Sequence, residues 1–318
     1  MTWLTWRQHR AAAVAALLLC AALGGLLLVT GLSMHTAFGR DGVASCLSTA
    51  GRPGCQDVID GFVAQHIGLN DQLPWLIVVP ALVGMFFGAP LLGREFEHGT
   101  WKLAWTQSIT RTRWIAVQLT GVGALIIALS AGLTVMFAWW RAPLDAIQGR
   151  FDPASFSLAG PSFAAAALFA FALGVLAGAL LRRTVPAMAA TSAGYLAARL
   201  TVEACRPHYL APLTRVIDPV RHDRHGAFTT RDWILHTGWI DRSGHHVTGA
   251  SQHRIISDAI ANGTDLAAYM HQHGIANYVQ YQPANRYWPF QLIEAGIFLA
   301  LAVMLLAAAV WVVRKRTS

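Results

Sequence analysis

REFEHGTWKLAWTQSITRTR, residues 94–113, is a charged stretch with two tryptophans, held between the apolar runs Leu73–Leu92 and Ile115–Trp140. Each run reaches the roughly 20 apolar residues that a helix needs to cross a hydrocarbon core about 30 Å thick. A backbone exposed to lipid must satisfy its own hydrogen bonds, so helices are the expected spanning form. Both neighbours therefore cross a bilayer, and the segment between them lies at a membrane surface. There it is open to a soluble partner.

Working outward, the runs Ala11–Thr30, Ser162–Leu181, Val185–Val202 and Trp288–Val313 bring the number of expected spans to six. Mean hydropathy of +0.44 and 13% charged residues fit the same class. The expected fold is an all-α integral membrane protein with one transmembrane domain over residues 1–318. A polar extracytoplasmic insertion, residues 205–287, lies between helices 5 and 6. Arg7 and Arg10 precede the first run, as in a signal peptide, but that run exceeds the 7–15 residues of a typical signal core. It reads as a retained first helix.

The net charge of +8 raises the question of nucleic acid, and its distribution answers it. With the N-terminus inside, the cytoplasmic pieces hold Arg7, Arg10, Arg94, Lys102, Arg111, Arg113, Arg182, Arg183, Arg314, Lys315 and Arg316. The two short outer loops hold only Arg40, Arg52, Arg141 and Arg150. This is the positive-inside pattern, and it places both termini in the cytoplasm of a multi-pass cell-membrane protein. The basic excess sets topology, and a nucleic-acid partner is an unnecessary explanation. The 22 Arg against 2 Lys read as a codon-usage bias rather than as chemistry.

Several local signals refine the picture. Trp3 and Trp6, followed by Arg7 and Arg10, form an aromatic and basic anchor to membrane lipid, or an elbow helix in the interface plane. Gly84 and Gly88, and again Gly174 and Gly178, are small residues four apart. Such pairs let backbones approach closely in lipid, inside a subunit or across a dimer seam. Pro80 and Pro90 are expected to kink or interrupt helix 2, whereas Pro186 falls in the tolerant first turn of helix 5. Within 94–113, Trp101, Ala104, Trp105 and Ser108 recur on one helical face, with Gly99-Thr100 as a start signal.

This segment resembles the loop between helices 2 and 3 of the permease subunits of ABC-2-type ATP-binding-cassette exporters. In that family a Glu precedes a Gly-Thr pair, followed by a helical stretch and a Ser/Thr-Arg. Glu95, Gly99-Thr100 and Thr110-Arg111 match that pattern, while Ser108 stands where the family often has Pro. TWRQHR at the start and ANRYWPFQLIE near the end also look like actinobacterial members. The resemblance implies a transport subunit that docks on a separate cytoplasmic ATPase through Glu95, Glu97, His98, Gly99, Thr100, Trp101 and Arg111, beside a second permease copy or paralogue. No G-x-x-x-x-G-K-[ST] occurs in the chain, so no phosphate-cradling loop is present. The implied ATP and magnesium belong to the partner, no cofactor is expected in this chain, and the chain is not expected to be an enzyme.

Three ionisable residues fall in or near the membrane. Arg199 and Glu203 lie four apart on one face of helix 5. Glu294 lies six residues past Trp288, about 9 Å along helix 6. Such residues usually face a bundle interior and find a partner, so Arg199 is expected to pair with Glu294 along a substrate path. Cys46 and Cys55, flanking Pro53-Gly54, are disulfide candidates on the outer face. The insertion carries 8 Arg, 6 Asp and 9 His, with Ser251–Ile260 and Asp265–His271 as expected short helices. Its His222, His225, His245, His246, His271 and His273 lack the ordered Cys or carboxylate spacing of a zinc site, and no metal is expected. Two alternatives stay open: a membrane sensor or scaffold reading the outer loop, and a metal-binding membrane enzyme using its histidines.

Overall fold

The computed structural model describes residues 2–49, 52–97, 111–219 and 231–316, and of residues 2–13, 15, 16, 74, 95, 96, 111–115, 153–155 and 316 it describes the backbone. The chain divides into two compact units. The larger comprises Met1–Ile147, Pro153–Arg206 and Trp288–Ser318; the smaller comprises Gln148–Asp152 and Pro207–Tyr287.

Among its described residues, the larger unit's regular structure is all helical. α1 (Thr2–Arg40) is one uninterrupted helix of 39 residues, so no separate elbow precedes the first span. The connection between the runs Ala11–Thr30 and Leu73–Leu92 is largely helical, because α1 runs on past the apolar window to Arg40. α2 (Val43–Ser48) and α3 (Cys55–Gln72) then follow. A disulfide joins Cys46 to Cys55 and closes the turn between them.

Helix 2 changes type along its length. Leu73–Val78 is a 3-10 turn, α4 (Val79–Val83) follows, Gly84–Gly88 is a π turn, and α5 (Ala89–Glu97) completes it. Pro74, Pro80 and Pro90 each sit at or next to one of these changes, where a missing N–H forces the ladder to shift. The helix also continues three residues past Arg94. After the undescribed residues 98–110, α6 (Arg111–Gln148) begins. Trp101, Trp105, Ser108 and Thr110 lie outside the described residues.

α7 (Pro153–Leu158), α8 (Pro161–Leu181) and α9 (Thr184–Cys205) come next, and α12 (Tyr287–Arg316) closes the unit. α8 is apolar all round, and two thirds of its most apolar window is buried, against 17% for α1. A helix that is hydrophobic on every face belongs in a core, and α8 is the centre of this one. Its Gly174 and Gly178 meet the Gly84/Gly88 turn and α5. A Cβ on Gly84 would stand 2.3 Å from the carbonyl oxygen of Ala170, and one on Gly174 would stand 2.3 Å from that of Gly84. The two small-residue pairs therefore pack on one another within the subunit.

Among the described residues, five helical stretches are long and apolar enough to cross a membrane: Leu17–Arg40, Cys55–Arg94, Ala116–Gln148, Pro161–Leu181 and Ala284–Lys315. α9, at 22 residues, is long enough, but Thr191, Ser192, Arg199, Thr201 and Glu203 make it too polar to join them.

The smaller unit corrects the all-α expectation for the chain as a whole. β1 (Leu213–Ile217), β2 (Trp233–Ile240) and β3 (Ala276–Gln282) form an antiparallel sheet in the order β1-β3-β2, with a register irregularity between Ile234 and His236. The central strand comes last in sequence, so its partners are distant and its pairing leaves no local signal. α10 (Gly249–Ala261) and α11 (Leu266–His273) accompany the sheet. Asp265 Oδ2 accepts hydrogen bonds from the amides of Ala267 and Ala268 at the start of α11, and Gly274, at φ +69°, ends it. Phe151 stacks on Trp233 at 5.5 Å.

Candidate functional site

Among the described residues, Glu97 lies at one end of α9, and Arg199, Glu203 and Glu294 lie toward the other. The first end begins at Thr184, immediately after the Arg182-Arg183 turn, where Arg182 takes a left-handed φ of +54° and ends α8. The opening turn of any helix leaves backbone N–H groups without intrahelical partners. Glu97, the last residue of α5, fills that need. Its Oε2 accepts from the amide of Thr184 at 3.0 Å and from the Thr184 hydroxyl at 2.8 Å. A carboxylate there also meets the positive end of the helix dipole. A Cβ on Gly93 would touch Thr184 Cα at 3.4 Å, and one on Gly178 would stand 2.6 Å from Ala89 O. α5 thus lies against both arms of the α8–α9 turn at close range.

Glu97 was expected as a docking residue beside Glu95. In the structure it holds a neighbouring helix of its own chain. The Glu95 side chain, residues His98, Gly99, Thr100 and Trp101, and the Arg111 side chain lie outside the described set; Arg111 itself opens α6.

The second end lies fifteen residues along α9. Glu294 of α12 is fully buried, with Arg199 4% and Arg206 5% exposed. Arg199 Nη1 donates to Glu294 Oε1, and Arg199 Nη2 donates to the Ser157 hydroxyl at 2.8 Å. Arg206 Nε donates to Glu294 Oε2 at 3.0 Å, and its guanidinium lies 4.2 Å over the Phe156 ring. Two cations share one carboxylate, and the aromatic face supplies part of the missing negative potential. Nearby, Gln291 accepts from the Ser162 amide and donates to Phe156 O at 2.6 Å. Glu203 stands half-buried on the same helix.

A further buried charge escaped the sequence reading. Arg141, assigned to an outer loop because the apolar run ends at Trp140, is inside α6 and wholly buried. Its Nε donates to Asp145 Oδ1 at 2.9 Å, and its Nη1 donates to Asn70 of α3. The i, i+4 spacing of Arg141 and Asp145 was the available signal. Arg206 left none, falling just beyond the expected helix 5.

The insertion's histidines disperse. His271 meets Asp218 at 3.0 Å, His245 lies 3.9 Å from Asp241, and His246 packs edge-on against Tyr278. His222 and His225 lie outside the described residues. Among the described residues no three His, Cys, Asp or Glu side chains gather to hold a metal ion.

A family profile described as ABC-2 membrane transporter related matches residues 15–206. No curated protein and no solved structure matches the chain.

Proposed function

Because this chain belongs to the ABC-2 membrane transporter related family, a family of ABC transporter permeases, we propose that it is the six-span permease subunit of an exporter. α9 serves as the sixth span despite its polarity, because Thr191 and Arg199 are buried rather than turned to lipid. Both termini lie in the cytoplasm, where a separate ATPase holds ATP and magnesium and docks on residues 94–113. A second permease copy or paralogue completes the transporter.

The observation that carries this reading is the contact of Glu97 with Thr184. A push on 94–113 reaches α9 directly, since the end of α5 is fastened to the start of α9. At 1.5 Å per residue α9 spans about 33 Å, which carries the displacement to the Arg199–Glu294–Arg206 cluster at its far end. Glu95, Gly99 and Thr100 contact the ATPase, Glu97 positions α9, and Arg199, Glu203 and Glu294 flank the exit of the path.

Co-purification tests the reading. The affinity-tagged chain is expected to retain a cytoplasmic ATPase, and Glu95→Ala is expected to lower the ATP hydrolysis stimulated by the permease. If no ATPase is retained, or if hydrolysis is the same with Glu95→Ala, the coupling assignment fails.

A further inference from the structure

Half-way along α1, at Leu19 and Cys20, the larger unit holds a partly open cavity of about 340 Å3. It lies between α1, α4 and the π turn, α6 and α8. Leu82, Phe86, Leu129 and Phe163 represent its walls, and among the described residues that line it only Cys20 and Ser130 carry side-chain heteroatoms. A smaller space of about 40 Å3 shares Cys20, Val79 and Phe163 and leads along α1 to Leu27.

Three features set this cavity apart from loose packing. First, an apolar cavity of about 150 Å3 stays dry and takes up benzene, so one twice that size, with no charged group among the described residues of its wall, favours an organic occupant over water. Second, the wall includes the irregular part of helix 2. Non-helical backbone at membrane depth is tolerated where protein buries it or where it lines a cavity, and π turns recur at functional sites. Here Gly84 and Gly88 face α8 while Phe86 and Phe87 line the cavity. Third, Leu19, Leu82 and Phe86 are 51%, 38% and 49% exposed, so the cavity is open sideways toward the surrounding lipid.

We propose that this cavity is a binding site for one uncharged, apolar small molecule of about a dozen carbon atoms, entering from the membrane. The volume is about twice that of the benzene cavity, too small for both chains of a phospholipid, and the wall offers nothing to an ionised headgroup. The occupant is therefore a freely diffusing compound. Its standing as transported cargo rests on the permease reading, but binding itself does not need the ATPase.

The test uses the full chain alone, purified in lipid nanodiscs, with a twelve-carbon alcohol bearing a diazirine as the probe. Photolabelling is expected to concentrate on Cys20, Phe86 and Leu129, to be competed by unlabelled dodecanol, and to fall at least fivefold in Leu133→Trp, which fills the cavity. Leu129→Ala, which enlarges it, is expected to keep the labelling; both variants are checked for an unchanged gel-filtration profile. Equal labelling of lipid-facing Leu18, Val29 and Leu200 would overturn the site. So would labelling of the cavity by a diazirine phospholipid that dodecanol fails to displace. Loss of ATPase co-purification, by contrast, would remove the cargo role and leave the labelling pattern intact.

Discussion

The two ends of α9 are each fastened by one carboxylate, yet they differ in kind. At Thr184 the carboxylate of Glu97 is exposed and caps a helix start; at Arg199 and Arg206 the carboxylate of Glu294 is fully buried between two guanidinium groups. An exposed cap contributes about 1 kcal/mol and can be exchanged for water at little cost. A buried pair is costly to break, because the charge left behind has no solvent. Under the proposed coupling, the first contact is the latch that is made and released, and the second is the fixed point against which α9 moves.

The largest effect tests the buried end. Glu294→Gln leaves Arg199 and Arg206 without a counter-charge and is expected to destabilise the fold by about 3–5 kcal/mol, seen as a lowered melting midpoint in detergent. If Glu294→Gln leaves both melting and export unchanged, the fixed point is misassigned. Gly174→Leu comes next. It forces a side chain against Gly84 O and Ala89 N, with an expected loss of about 1–3 kcal/mol and a lower yield of folded protein. That result would show that α8 packs directly on the π turn and on α5.

Glu97→Ala is expected to cost about 1 kcal/mol, with amide exchange at Thr184 accelerated and exchange at Arg199 unchanged. Glu97→Gln keeps the acceptor and restores most of the protection. Equal exchange at both ends in Glu97→Ala would erase the distinction between them. The smallest effect lies in the insertion, where Asp241 is an exposed cap with no helix to hold. The amides of His245 and Ser243 donate to its carboxylate and hold its pKa below the ordinary value. A lowered folded pKa gives order that is present above the ordinary Asp value of about 3.9 and is lost as pH falls through the folded value. Protection of the Ser243 and His245 amides, taken relative to their intrinsic exchange rates, is therefore expected to fall in that acid window and to be pH-insensitive there in Asp241→Asn.

What the sequence made legible follows from how local each signal is. Hydropathy is read over a window, so the apolar runs stood out, as did the expected partnership of Arg199 and Glu294, since each is an ion in an apolar run. The same window misplaced Arg141, because α6 continues past Trp140 to Gln148 and buries the charge by pairing it with Asp145 and Asn70. Glu97 and Thr184 are 87 residues apart, and nothing in either neighbourhood announces a cap shared between helices. The sheet was hidden for a related reason, as β3 pairs with two strands that precede it by dozens of residues. The cavity required the π turn, which the glycines at 84 and 88 suggested only as a packing surface.

The most direct test of transmission through α9 uses Cys205, an exposed free thiol at its far end, in a chain whose Cys20 is replaced by Ser. With the ATPase partner bound in nanodiscs, the rate of Cys205 labelling by a membrane-impermeant maleimide is measured with and without ATP, in the Glu97 protein and in Glu97→Ala. Labelling that changes with ATP when Glu97 is present, and does not change in Glu97→Ala, is the expected result. A rate indifferent to ATP, or an equal response in both proteins, would contradict the role of α9 as the element that carries the push.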